Sequence, residues 1–397
     1  MKKNLGLLVF LSLTGFVTSF GSYIVAANLP AYSRQTGAGL IVIGILIALY
    51  DLAEIMIKPV AGLLSRRWGE WPMLRAGLML FALASGIYLV LPPQWLILVR
   101  LLQGSGAAFF SIMSMTLLIR HFTDQKGTAL GIYGAVKNSG YVLAPTIGGF
   151  LVYLSGFQSV FVLCTAVGLG VIVLSYLIRP RSYPDGRLPG GNARKKSPAL
   201  TDLLDSLKNR QTLPIYLIMF FNMIFMAVFF GFMPVLLAAK GLNLMQAGVV
   251  LGCNAVIYLA VQPLAGRLSD AFSRKKLIAW GLSTATISIM LISFFSFPYY
   301  LIFSITLAVG IGCVSPLGEA FVGDVSDPDD LAVNLGIAGT YREAGEMTGP
   351  LAIGFFGQAL GLDWAFLLMG LTGLAGLICI VFLREQQPDR SIEFVKL

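Results

Sequence analysis

The chain is poor in charge, in histidine and in cysteine, and each shortage excludes something. Charged residues fill only 12% of its 397 positions, against about 25% in a soluble domain, so most of the surface cannot be facing water. The one histidine, His121, stands beside no zinc, nucleotide or nucleophile signature, and enzymatic activity is not expected. The four cysteines, Cys164, Cys253, Cys313 and Cys379, fall singly in separate apolar stretches without a CxxC pair. That pattern fits packing rather than metal or redox roles. There is no phosphate-binding loop, so direct use of ATP is not expected, and the alternating ten-residue pattern of a membrane barrel is missing.

What the chain has is hydrocarbon: 57% of its residues are hydrophobic and its mean hydropathy is +0.81. Runs of about 20 residues or more are long enough, at ~1.5 Å per residue, to cross a hydrocarbon core of ~30 Å. They recur near 5–30, 38–64, 72–92, 96–120, 128–154, 158–178, 212–238, 244–268, 276–296, 298–322, 332–357 and 363–384. With no water to satisfy open backbone groups, such runs must be helices, which predicts an all-α membrane protein of twelve transmembrane helices. Met1, Lys2 and Lys3 ahead of the first run look like the start of a signal peptide, but the run is long and no cleavage site closes it; it is read as the first helix.

Charge orients the bundle. Alternate loops containing Arg66, Arg67, Arg120, Lys126, Arg274, Lys275 and Lys276, with the central loop and both tails, hold nearly all the basic residues, while the opposite loops offer Arg34 and Lys240. The positive-inside rule makes the basic face cytoplasmic, with both termini on it, in a bacterial inner membrane. The net charge of +9 then reports topology and contact with anionic membrane lipids, and no nucleic-acid partner is expected. Trp68, Trp71, Trp95, Trp280 and Trp364 all fall near predicted helix ends, where an amphipathic ring suits the interface.

The only long polar stretch divides the chain into a six-helix bundle over 1–178, a cytoplasmic linker over 179–211, and a second bundle with a short tail over 212–397. Leu200, Leu203, Leu204 and Leu207 within the linker recur at helical spacing and predict a short amphipathic helix on the headgroups. The two bundles repeat one another. Pro59, Ala61, Gly62, Leu64 and Ser65 return 204 positions later as Pro263, Ala265, Gly266, Leu268 and Ser269. Gly131, Gly134, Gly140, Pro145 and Gly149 return 205 positions later as Gly336, Gly339, Gly345, Pro350 and Gly354. Parallel repeats of this kind place a site near the midplane between two halves that rock against each other.

Several motifs carry a resemblance. The loop after the eighth helix runs from Gly266 through Asp270 to Arg274 and Lys275, close to GxLxDxxxRK. Its counterpart keeps Gly62, Arg67 and Gly69 but has Arg66 where an aspartate is expected. Helix four carries Arg100, Gln103, Gly104 and Gly106 in the pattern RxxQGxG, and helix five carries Gly131, Gly140, Ala144, Pro145, Gly148 and Gly149. On these motifs the whole chain resembles the major facilitator superfamily, and within it the twelve-helix drug:proton antiporters. The resemblance implies the major facilitator fold and a monomeric secondary transporter. It would use no cofactor beyond a proton gradient and export small lipophilic or amphiphilic compounds; transport of a defined metabolite, such as a sugar, amino acid derivative or siderophore, is the alternative. The glycines and prolines Gly131, Gly140, Pro145, Gly149, Gly345 and Pro350, with the loop residues Gly62, Arg66, Arg67, Gly69, Gly266, Asp270 and Arg274, are the expected gating elements.

Ionisable groups at a helix centre cost roughly 2.5–3.5 kcal/mol each on insertion scales, so each one asks for a role. Asp51, Glu54, Lys58, Arg100, Lys137, Glu319, Arg342, Glu343 and Glu346 fall inside predicted spans. Counting from the cytoplasmic ends puts Glu54, Lys137 and Arg342 in one layer. The expectation is a pairing of Asp51 or Glu54 with Arg342 between halves that protonation would weaken. Local closure of Glu54 on Lys58 and of Arg342 on Glu346, each at i, i+4, is the alternative. Under the resemblance Arg100 is a proton-coupling residue, and otherwise an anchor on carbonyls. Glu319 is expected to snorkel to the cytoplasmic surface. The basic Arg66 and Arg67 face the acidic run Asp324, Asp327, Asp329 and Asp330, and Asp270 faces Arg120 and Lys126, which predicts two latches of opposite polarity. Gln103, Phe221, Asn222, Met226 and Tyr258 are the expected cavity wall, though lipid-facing packing suits the residues of helix seven equally well.

Overall fold

The computed structural model describes residues 4–35, 40–90, 95–177, 212–242, 244–295 and 298–383, with side chains outside 26–48, 145–146, 234–235, 238, 244–245 and 247–248. Twelve long helices account for nearly all of it: α1 (Leu5–Gln35), α2 (Leu40–Trp68), α3 (Glu70–Ile87), α4 (Leu96–His121), α5 (Lys126–Ser155), α6 (Phe157–Leu177), α7 (Leu213–Ala239), α8 (Leu244–Ala271), α9 (Arg274–Leu291), α10 (Tyr299–Val325), α11 (Leu331–Leu360) and α12 (Leu362–Val381). The expected linker at 179–211, its amphipathic helix, and the tail after 383 lie outside the described residues.

Among the described residues, seven helices meet a membrane-crossing standard of length and apolarity by themselves: α1, α4, α6, α7, α8, α10 and α12. Two of the others, α5 and α11, fall short because they carry the charges and glycines that face the partner half. Helices α5 and α6 are separated by Gly156 alone (φ 78°, ψ 176°), and α11 and α12 by Gly361 alone (φ 90°, ψ 157°). That backbone conformation is essentially closed to residues with a Cβ, so these two repeat-related glycines allow successive helices to reverse without a loop. Helices α3 and α9 stop at Ile87 and Leu291, short of their expected ends, because an apolar run marks lipid depth and not where the backbone turns.

Packing repeats as the sequence does. Helix α1 lies on α5 as α7 lies on α11; α3 lies on α4 as α9 lies on α10; α2 packs on α4 as α8 packs on α10. The two sets of six meet where α2 lies along α11 and α5 along α8, with α10 touching α5 and α4 touching α11. Burial along these helices is uneven from end to end. Residues 331–338 of α11 are buried on every side, while 354, 355 and 358–360 are exposed; in α5 the exposed residues 149, 150 and 153–155 lie at the same far end. The halves are thus packed tightly together at the end carrying the basic loops.

Candidate functional site

Close approach of backbones builds the interface. A methyl placed on Gly62 would stand 2.7 Å from Val333 Cα, and one on Gly336 3.0 Å from Pro59 Cα, so α2 and α11 touch main chain to main chain. Across the other seam, Gly131 is held equally tight against Pro263 and Gly266 against Gly127. Only glycine permits this spacing, and it brings the polar side chains one turn deeper within reach of each other.

Between α2 and α11, Lys58 is held by two carboxylates. Its ammonium lies 2.5 Å from Glu54 of its own helix and forms a second ion pair with Glu343 across the halves. All three are buried, Lys58 at 4% exposure. Tyr50 donates to the same Glu54 (3.2 Å), and the Arg100 guanidinium stacks on the Tyr50 ring at 4.8 Å while donating to Gln103 Oε1 at 2.9 Å. Arg100, 1% exposed, therefore joins the cluster through an aromatic ring and an amide.

The repeat places a neutral copy at the other seam. Glu54, Lys58 and Glu343 correspond to Tyr258, Gln262 and Asn138 by the 204- and 205-residue offsets. Asn138 Nδ2 donates to Gln262 Oε1 (3.1 Å) and to the Tyr258 hydroxyl (3.0 Å), and that hydroxyl also contacts Met226 Sδ. One seam is closed by charge and its twin by amides.

Two small adjoining cavities lie between the seams and share Met115, Lys137, Glu319 and Arg342; one reaches Lys58 and Glu343, the other Tyr133, Asn138, Gln262 and Ser315. Here the structure corrects the expected pairings. Arg342 is ion-paired with Glu319 of α10, within its own half, and not with Asp51 or Glu54. Glu319 is 6% exposed and does not snorkel, because α10 continues to Val325 and places it a full turn deeper than the hydropathy count did. Glu346 does not close on Arg342 but accepts from Tyr23 of α1 at 2.8 Å, and Asp51 has no ion-pair partner among the described residues. Of the expected wall residues Gln103, Phe221, Asn222, Met226 and Tyr258, none lines these two cavities. Asn222 turns into its own half to donate to Ser315 Oγ (3.2 Å), and Phe221 lies against Gly376.

At the basic face Arg66 is ion-paired with Asp330 and donates to the Asp329 carbonyl at 3.2 Å, while Arg67 is exposed. Asp270 does not pair with Arg120 or Lys126. Its carboxylate accepts from Gly127 N and Thr128 N, both at 2.8 Å, and from Thr128 Oγ1 at 2.6 Å, capping the first turn of α5. The orphan N–H groups and positive end of that helix satisfy a carboxylate directly. Arg120 goes instead to Glu70 (2.6 Å), and Lys126 crosses to Asp324 (3.2 Å), which also binds Arg274. Substituting Arg66→Asp breaks a pair in which the Arg66 side chain is only 15% exposed and sets a second carboxylate beside Asp330, so it is expected to lower stability by about 1 kcal/mol. It should also speed maleimide labelling, from the basic face, of a cysteine introduced as S315C. Unchanged labelling would show that this latch holds nothing.

Residues 11–256 and 215–396 match the model of the Major Facilitator Superfamily. The chain is 24% identical over 98% of its length, and 99% of the relative's, to "Multidrug resistance protein 2" of Bacillus subtilis. It is 26% identical to the "Methylenomycin A resistance protein" of Streptomyces coelicolor over 82% of this chain and 81% of that one. A shorter match, 32% identical, joins 36% of this chain to 30% of the methylenomycin A resistance protein of Bacillus subtilis. Its fold is that of the transporter FucP in the outward conformation, at TM-score 0.78 and 15% identity, covering 96% of this chain and 99% of FucP. The human organic anion transporter MFSD10 superposes at TM-score 0.75, with 14% identity and 96% and 99% coverage. A duplicated helix set closed by glycine seams around a charged midplane, and a family match running across both halves, make this chain a member of the Major Facilitator Superfamily, a transporter and not an enzyme.

Proposed function

We propose that the protein is a proton-coupled antiporter that exports small amphiphilic compounds by alternating access, as a monomer in a bacterial inner membrane with its basic face in the cytoplasm. The observation that carries this reading is Lys58 shared by Glu54 and Glu343 on the seam between halves. With both acids ionised, the ammonium is overbalanced and pulls α2 onto α11. A proton on either carboxylate removes one of its two partners, so occupancy by protons and closure of the seam are linked. The Tyr258, Gln262 and Asn138 seam has no group that titrates in the physiological range, so it closes the same contact without sensing protons. The names of the resistance relatives support export, and each proton entering down a 100 mV potential supplies about 2.3 kcal/mol.

A second reading, transport of a defined polar metabolite, is favoured by the cavity lining, where Lys137, Asn138, Gln262, Ser315 and Arg342 outnumber aromatic side chains. Inverted vesicles separate the two. Antiport export is expected to release protons from preacidified vesicles on adding any of several unrelated amphiphilic compounds, with an E343Q variant silent. Proton movement elicited by one sugar or amino acid alone, or none by any compound, would rule out the first reading.

A further inference from the structure

The repeat exposes a cation without a contacting carboxylate. In the second half, Arg342 of α11 is matched by Glu319 of α10. In the first half, Lys137 occupies the position equivalent to Arg342. The position equivalent to Glu319 is set by α4 and α10 packing through Gly106 and Gly310, which meet Gly77 and Gly281 in the same way, 204 residues apart. That position is Met115. The cation has been kept and its carboxylate replaced by a thioether. Among the described residues, Lys137 has no hydrogen bond or ion pair, while Lys58 has two carboxylates and Arg342 has one.

Both cavities include Lys137. Their walls carry Lys58, Lys137 and Arg342 against Glu319 and Glu343, and with Glu54 behind Lys58 the charges balance in number, but Lys137 is the cation that no carboxylate touches. An unmatched ammonium at midplane depth costs several kcal/mol. That cost is recovered when a mobile anion arrives. Beside Lys137, Arg342 also lines the cavity, while Met115, Leu130 and Pro316 offer an apolar side. Taking the transport reading above as given, we infer that Lys137 is the anion subsite of the substrate cavity and that the exported compound is an amphiphilic monoanion, a carboxylate on an apolar body.

Full-length protein purified in detergent can be titrated with benzoate, 1-naphthoate and decanoate, each against its own amide, by the ligand-induced rise in unfolding temperature. At least one acid is expected to bind at least about tenfold more tightly than its amide. In K137Q that preference is expected to vanish while K137R keeps it. Without ligand, K137Q is expected to be no less stable than the parent protein, which a structural ion pair at Lys137 would not allow. If no acid outbinds its amide in the parent protein, or if K137Q binds the acid as tightly, the inference is wrong. No gradient is involved, so this result stands apart from proton release in vesicles, which tests coupling.

Discussion

Replacing Lys58 by methionine is expected to lower coupled transport by at least about a hundredfold, while the repeat-equivalent Gln262→Met change costs about tenfold or less. Both substitutions remove the side chain that bridges a seam, and both positions are buried, at 4% and 0% exposure. They differ in what is left behind. Without Lys58, Glu54 and Glu343 face each other with no cation between them, and breaking a buried pair in this way costs roughly 3–5 kcal/mol. Without Gln262, Asn138 loses one amide partner and keeps the Tyr258 hydroxyl, so no group is stranded and the loss is ~1 kcal/mol, that of a neutral hydrogen bond. At about 1.4 kcal/mol per factor of ten, the two estimates separate. The measurement is the initial rate of substrate-driven proton release from vesicles, normalised to folded protein in the membrane. The triple variant K58M/E54Q/E343Q carries no stranded charge, so it is expected to accumulate like the parent protein and still fail to move protons. Equal damage from K58M and Q262M would mean that charge on the first seam has no special part in coupling.

The helix count and the duplication were legible in the sequence because both are one-dimensional: lipid thickness sets run length, and a copied segment keeps its spacing. The glycine seams were legible for the same reason. Side-chain partners across the site were not, because a depth count places a residue along a helix axis and says nothing of its rotation. Glu54 and Arg342 do share a layer, yet Arg342 turns to α10, while Glu54 closes on Lys58 as the i, i+4 alternative had it. Helix α7 misled differently: with Phe220, Phe221, Phe225, Phe229 and Phe230 spread around it, no apolar stripe marks a face, and Asn222 proved to point into its own half. At the loops the sequence displays charges but hides backbone N–H groups, so Asp270 found a helix end where a basic side chain was expected. One signal was present and unused. Carrying the offset from glycines to polar residues sets Lys58 opposite Gln262 and Glu343 opposite Asn138, and those pairs are the ones that meet.

The double variant G62A/G266A is expected to hold the protein open at its basic face and to raise labelling of S315C from that side at least about tenfold, with transport largely lost. A methyl on Gly62 would sit inside contact distance of the Ala332 carbonyl and 2.7 Å from Val333 Cα; one on Gly266 would sit 2.6 Å from the Gly127 carbonyl carbon. All of these are main-chain atoms, which cannot swing aside as a flexible side chain can, so the halves themselves must separate. Overpacking of this kind costs ~1–3 kcal/mol per site. The two glycines lie on different seams, so their effects should add, giving about 2–6 kcal/mol against the closed arrangement. Two states of a switching protein typically differ by only a few kcal/mol, and about 5.5 carries a 1:99 equilibrium to 99:1. Gly149 and Gly354 form the control within the same repeat: at the far end of α5 and α11, an added methyl meets no atom within 4 Å. G149A/G354A should therefore leave labelling from the basic face as slow as in the parent protein. If the two double variants behave alike, the glycines serve helix packing in general and the seams do not set which face is closed.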